Sequence, residues 1–106
     1  MINTLKRIFG LGNPTDFARL VKDGAMIIDV RSPGEFAGGN IKGAINLPVD
    51  QLPNQLSKLS DKNRAIITCC ASGMRSGIAR KILKSNGYSN VFNGGGWHSL
   101  QTKLKS

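Results

Sequence analysis

The amino-acid sequence predicts an α/β fold, a mostly parallel central sheet of about five strands with helices on both faces. Three observations carry that prediction. Extended apolar segments alternate with segments whose apolar residues recur at helical spacing. Residues 25–30 (AMIIDV) form a run too continuously apolar for a half-exposed strand, the pattern of a strand covered on both sides. A chain of 106 residues, 40% hydrophobic with 13 glycines and 4 prolines, has room for one such domain and not for two.

Taken in order, residues 13–16 (NPTD) open a short helix through Phe17, Leu20 and Val21, closed by the Asp23-Gly24 turn. The strand at 25–30 follows. Residues 31–35 (RSPGE) form a loop with one helical turn through Phe36 and Ala37, and 44–47 a second short strand stopped by Pro48. Segment 50–59 places Leu52, Leu56 and Leu59 at helical spacing. A strand over 64–69 leads through a short loop to a helix over 76–86. Its Ile78, Ile82 and Leu83 face inward, and its Arg80, Lys81 and Lys84 face outward. Gly87 ends that helix. Residues 90–93 are the last strand, and Gly94 to Gly96 lead into a C-terminal helix through Trp97, Leu100 and Leu104. Residues 1–12 read as an N-terminal extension to a single domain over 13–106. With Lys6 and Arg7 among its apolar residues, that extension packs, stays flexible or touches a lipid surface, the last disfavoured because so short an element binds lipid weakly.

Charge narrows the function classes. Fifteen Lys and Arg against 6 Asp and Glu give +9, and no carboxylate follows Asp61 while Lys62, Arg64, Arg75, Arg80, Lys81, Lys84, Lys103 and Lys105 do. Solvated helix faces account for part of this excess; beside a reactive group the same field favours anionic substrates or acidic partners and depresses a thiol pKa. A nucleic-acid partner is not expected, because one Tyr and one Trp supply no row of stacking platforms. No apolar stretch approaches the roughly 18 residues of a transmembrane span. The N-terminus lacks an export h-region of about 7–15 residues, so the expected location is cytoplasmic. The only cysteines, Cys69 and Cys70, are adjacent, a spacing that rarely forms a disulfide and reads as reactive-thiol usage. With His98 as the lone imidazole they do not make a metal site, and no cofactor is implied.

The chemistry concentrates at Cys70-Ala71-Ser72-Gly73-Met74-Arg75-Ser76. An apolar strand ending in Cys70 runs straight into a helix N-terminus, where backbone N–H groups lack intrahelical partners and the helix dipole adds about half a positive charge. Gly73 lets the loop curl, and Arg75 offers a planar fork suited to an oxyanion. A cysteine there is expected to ionise at neutral pH. Its bland alternative is a small buried hydrophobe. Cys69, next to it on an extended strand, points to the opposite face and reads as core, or less readily as a resolving thiol. Ser72 and Ser76 can donate to the sulfur, and Ser76 can equally cap the helix. Met74 lies at the loop rim. Asp29 and Arg31, at the end of a neighbouring strand, read first as a loop-anchoring ion pair, with Arg31 also placed to face the site mouth. Glu35 reads as a cap on its own short turn, Trp97 as core and His98 as surface.

These segments resemble a single-domain rhodanese, a sulfurtransferase family, from about Asp16 to Leu100. Asp29-Val30-Arg31 followed by Pro33-Gly34-Glu35-Phe36 resembles the first signature of the family, and residues 39–48 (GNIKGAINLP) resemble its second. Residues 70–76 (CASGMRS) resemble the active loop and 87–97 (GYSNVFNGGGW) the closing stretch. Asn40 stands where the family usually has His, and Leu100 where a second Trp is frequent; both touch local packing and the wall of the site. Cys70 to Arg75 spans six residues, which resembles the sulfurtransferase loop, whereas phosphatases on this fold carry one residue more. The resemblance implies a rhodanese-like fold and a double displacement. Cys70 thiolate takes the outer sulfur of thiosulfate as a persulfide, Ala71 to Arg75 backbone N–H groups hold it, Arg75 binds the oxyanion of the donor, and a thiophilic acceptor (cyanide, a thiol or a thioredoxin-like protein) removes the sulfur. The alternatives are a persulfide relay fed by a protein donor and, less favoured, a rhodanese-like phosphatase or arsenate reductase, for which the segment after Asp61 offers no acid. A non-catalytic binding domain is disfavoured by the intact Cys70 and Arg75.

Overall fold

The computed structural model describes residues 15–105; the extension at 1–12, with Asn13 and Pro14 of the first helix start, lies outside them. Helix α1 (Phe17–Lys22) is capped by Asp16, whose carboxylate accepts from the Arg19 N–H. Strand β1 (Met26–Asp29) follows, then α2 (Pro33–Ala37), β2 (Ile45–Asn46), two 3₁₀ turns (Leu52–Asn54 and Leu56–Lys58), β3 (Ile66–Cys70), α3 (Met74–Ser85), β4 (Val91–Gly96) and α4 (Trp97–Leu104). Among the described residues the sheet has four strands in the order β2-β1-β3-β4, each pairing parallel. β3, the most buried strand, sits between β1 and β4 with all five residues buried.

The alternation of side chains along β3 divides the core in two. Ile66 and Cys70 face a cluster with Ile28, Val30, Leu47, Leu52, Ala79, Leu83 and Val91. Ile67 and Cys69 face the other cluster, with Phe17, Ile27, Ile41 and Leu100. Helix α3 and the 3₁₀ turns cover the first side, and α1 and α4, packed together, the second.

Three elements depart from the sequence expectation. Segment 50–59 is not a continuous α-helix. Pro53 lies in the first turn of one 3₁₀ piece, where a missing N–H is tolerated, but Leu52 and Leu59 reach the core through short turns instead of a continuous ladder. On α3 the inward stripe is Ser76, Ala79 and Leu83; Ile78 is 49% exposed. Arg80 turns back, its Nε donating to the Val91 carbonyl at 2.8 Å and tying α3 to β4. β4 continues through Gly94, Gly95 and Gly96 instead of ending at Asn93. Thr68 pairs with Asn93 but Cys70 with Gly96, so β4 carries one extra residue, a bulge made by the glycines beside the cysteine loop. Gly94 fits there only without a side chain, since a Cβ would meet Ile67 Cγ2 and the Thr68 carbonyl oxygen at 2.8 Å.

Candidate active site

Cys70 is the last residue of β3 and lies at the carboxyl end of the parallel sheet, where α/β folds gather their ligand sites. The chain turns through Ala71 and Ser72 to Gly73, which adopts φ +103° and acts as the N-cap of α3. A residue with a Cβ is strained in that left-handed region, and its Cβ would also sit 3.3 Å from the Cα of Gly95. The helix therefore begins at Met74, and Ser76 is a buried first-turn residue instead of the cap.

This geometry wraps the sulfur in donors. The Gly73 N–H reaches Cys70 Sγ at 3.0 Å and the Ser76 N–H at 3.3 Å, while Ser76 Oγ lies 3.5 Å away. Burial, with 1% of Cys70 exposed, pushes its thiol up. The hydrogen bond with the Ser76 hydroxyl and those from the Ser76, Gly73 and Ser72 backbone outweigh that, and the Cys70 pKa falls below its ordinary value. Cys69 shows the opposite balance. Buried without such donors and beside Asp29, it is pushed up to about 12 and stays a thiol in the second core cluster.

Ser76 is itself held by a residue the sequence reading did not single out. Its hydroxyl lies 2.6 Å from Asn93 Oδ1 and 3.0 Å from the Gly73 carbonyl. Asn93 Oδ1 also accepts from the Gly95 N–H at 2.9 Å, and its Nδ2 donates to the Gly73 carbonyl at 3.3 Å. Asn93 thus ties the glycine bulge of β4 to the cysteine loop. Its only sequence signal is a polar residue at the edge of a glycine run.

Arg75 is differently placed from the expectation of a fork free for an anion. Its Nη1 and Nη2 bind Glu35 Oε1 and Oε2 at 2.7 and 3.0 Å, a bidentate pair bridging α3 and α2. Glu35 also completes a capping box with Ser32. Arg75 and then Ser32 hold the Glu35 carboxyl down at about 2, and the same bond raises the Arg75 pKa. The pair is still partly in water, with side chains 35% and 40% exposed, so its net worth is small. Beside it opens a cleft of about 310 Å³ with Val30, Pro33, Pro48 and Val49 as its apolar wall and Asp50 and Arg75 at its rim.

Asp29 and Arg31 form the ion pair expected of them. Arg31 Nη2 meets Asp29 Oδ2 at 2.7 Å and Nε meets Oδ1 at 2.9 Å, both residues buried. The fork also donates to the Gly39 and Glu35 carbonyls, and the guanidinium lies 4.7 Å over the Trp97 ring. Arg31 therefore points into the protein, not to the site mouth; it fixes the segment that carries Glu35. Trp97 packs on the second core cluster, with His98 stacked on it at 3.8 Å. Asn40 donates to the Phe36 carbonyl at 2.8 Å and serves the turn after α2. Among the described residues no three His, Cys, Asp or Glu side chains come together as a metal ion needs, and no helix is long and apolar enough to cross a membrane.

Comparison with known proteins gives a consistent result. The family model for the rhodanese-like domain matches residues 13–103. The chain is 36% identical over 83 residues to the protein YqhL of Bacillus subtilis, covering 77% of this chain and 65% of that one. It is 37% identical over 70 residues to the thiosulfate sulfurtransferase PspE of Escherichia coli, covering 65% and 67%. Among solved structures, the human single-domain sulfurtransferase TSTD1 superposes with a TM-score of 0.72 at 29% identity, over 87% of this chain and 98% of that one. The chain spans about two thirds of the length of the curated relatives it matches. A parallel sheet, a cysteine at its carboxyl edge and a match over 13–103 lead to one conclusion: the chain belongs to the rhodanese-like domain family.

Proposed function

We propose that the protein is a sulfurtransferase that moves a sulfane sulfur from thiosulfate, or a donor like it, to a thiophilic acceptor through a persulfide on Cys70. The observation that carries this reading is the Cys70 sulfur itself, held by the Gly73 and Ser76 N–H groups in a loop of six residues ending at Arg75. That cradle stabilises an anion on sulfur before and after transfer, which a double displacement requires. The thiolate attacks the outer sulfur of thiosulfate; a new S–S bond forms, the S–S bond of the donor breaks, and its electron pair leaves with sulfite. Arg75 presents its fork to the donor oxyanion by exchanging it for the Glu35 carboxylate. Attack of cyanide on the outer sulfur then releases thiocyanate and returns the Cys70 thiolate. The relatives support the choice of donor, since PspE is named a thiosulfate sulfurtransferase. We place this chemistry in the cytoplasm, whose reducing poise keeps the free thiols of Cys69 and Cys70 available.

The test is steady-state formation of thiocyanate from thiosulfate and cyanide, run beside hydrolysis of p-nitrophenyl phosphate. Turnover of the first, abolished in Cys70→Ser, with none of the second, is the expected result. Phosphate-ester turnover that needs Cys70 would move the assignment to a phosphatase.

A further inference from the structure

Helix α3 carries, just beyond the sulfur cradle, a surface for which a small anionic donor has no use. Met74 and Ile78 are 76% and 49% exposed, two of the three exposed large hydrophobics among the described residues. Four residues apart, they stand one above the other on one helix face, and the exposed Lys81 extends the same stripe by a turn. Arg75, paired with Glu35, lies to one side of the stripe and Lys84 to the other. An apolar contact gains nothing from thiosulfate or cyanide. Nor is a second copy the natural occupant, because both copies carry +9 and meet with like charge.

We propose that this face docks an acidic protein that carries the acceptor thiol, its cysteine set beside an apolar side chain on a carboxylate-rich surface. The inference rests on the persulfide reading above and names the acceptor class. Met74 and Ile78 receive the apolar side chain, and Lys81 and Lys84 meet the carboxylates. Docking there brings the acceptor thiol to the N-terminal end of α3, where Cys70 sits. The acceptor sulfur attacks the outer persulfide sulfur, the bond from that sulfur to Cys70 Sγ breaks, and its electron pair stays on Cys70 as thiolate. The proton of the acceptor thiol ends on the new persulfide, and no external oxidant or reductant is consumed.

The test uses the full chain and three peptides of equal length, each with one Cys-Leu pair flanked by Glu, Gln or Lys. Protein loaded from thiosulfate is mixed with each, and the mass of both partners is followed in time; binding of Cys→Ser versions, which needs no sulfur chemistry, is measured by fluorescence anisotropy. The Glu peptide is expected to take sulfur about tenfold faster than the Gln peptide at low salt, with the advantage lost at high salt. Ile78→Ser and Lys81→Glu each remove most of that advantage and weaken Glu-peptide binding, while kcat for thiosulfate and cyanide stays unchanged. Equal rates for Glu and Gln peptides, or variants that bind and react as the wild type does, overturn the docking surface. Absence of loading by thiosulfate, with peptide binding intact, would instead count against the donor chemistry and leave the surface standing.

Discussion

Two neighbouring residues of one type meet opposite electrostatic fates at the end of β3. Both cysteines are buried, yet Cys70 is lowered by its donors and Cys69 is pushed up to about 12 by burial. The thiolate is the nucleophile, so the rate of Cys70 alkylation and of sulfur loading falls as pH drops through its depressed pKa and is flat above it. Ser76→Ala removes the first of the stabilising hydrogen bonds and moves that limb to higher pH. An iodoacetamide rate profile reads the shift directly, and an unmoved limb would show that the backbone donors alone set the titration. Glu35→Gln keeps an N3 capping side chain but breaks the ion pair with Arg75. The KM for thiosulfate is then expected to fall up to about fivefold, the range of an exposed pair; a rise would mean that Glu35 orients Arg75 instead of competing for it. Cys70 and its loop were legible in the sequence because every part is contiguous. The capping role of Glu35 was legible as well, but its pairing with Arg75 and the hold of Asn93 on Ser76 were not, because these partners lie 40 and 17 residues apart and only the folded sheet brings them together.

At the scale of elements, the site depends on how strand ends are pinned. Asp29 and Arg31 close the end of β1 and hold the α2 segment through the Glu35 and Gly39 carbonyls. Asp29→Ala leaves a buried guanidinium without its carboxylate and is expected to cost about 3–5 kcal/mol in denaturant unfolding. A loss below about 1 kcal/mol would show that the Trp97 face and the carbonyls suffice for Arg31. The β4 bulge is equally exacting. Gly94→Ala forces a Cβ into Ile67, Thr68 and Leu100 within 2.9 Å, and is expected to destabilise by about 1–3 kcal/mol and to loosen Asn93 with it. Strands and helices of this kind were readable from apolar runs and spacing. Periodicity alone did not separate the 3₁₀ turns at Leu52 and Leu56 from an α-helix, because three leucines at helical spacing satisfy either when Pro53 intervenes. Nor did it reveal that β4 runs on through its glycines, since glycine has no side chain to betray a strand face.

Across the whole molecule, the two-sided core and the one-sided charge serve different ends. The sheet buries Cys69 on one face and presents Cys70 at the edge of the other, while the cationic excess of the chain falls in its second half, with Arg75 in the first turn of α3 beside the loop. Capture of a dianionic donor is therefore expected to weaken with ionic strength, kcat/KM for thiosulfate falling several-fold between about 10 mM and about 150 mM salt while kcat changes little. A salt-independent kcat/KM would leave Arg75 and the loop N–H groups as the whole of donor recognition. The central claim is that Cys70, in its cradle, carries sulfur as a persulfide. The most direct measurement is the intact mass of the reduced protein after incubation with thiosulfate, beside Cys70→Ser and Cys69→Ser, before and after cyanide. The account predicts a gain of one sulfur atom in the wild type and Cys69→Ser, none in Cys70→Ser, and its loss to cyanide as thiocyanate. A gain that persists in Cys70→Ser, or that requires Cys69, would contradict it.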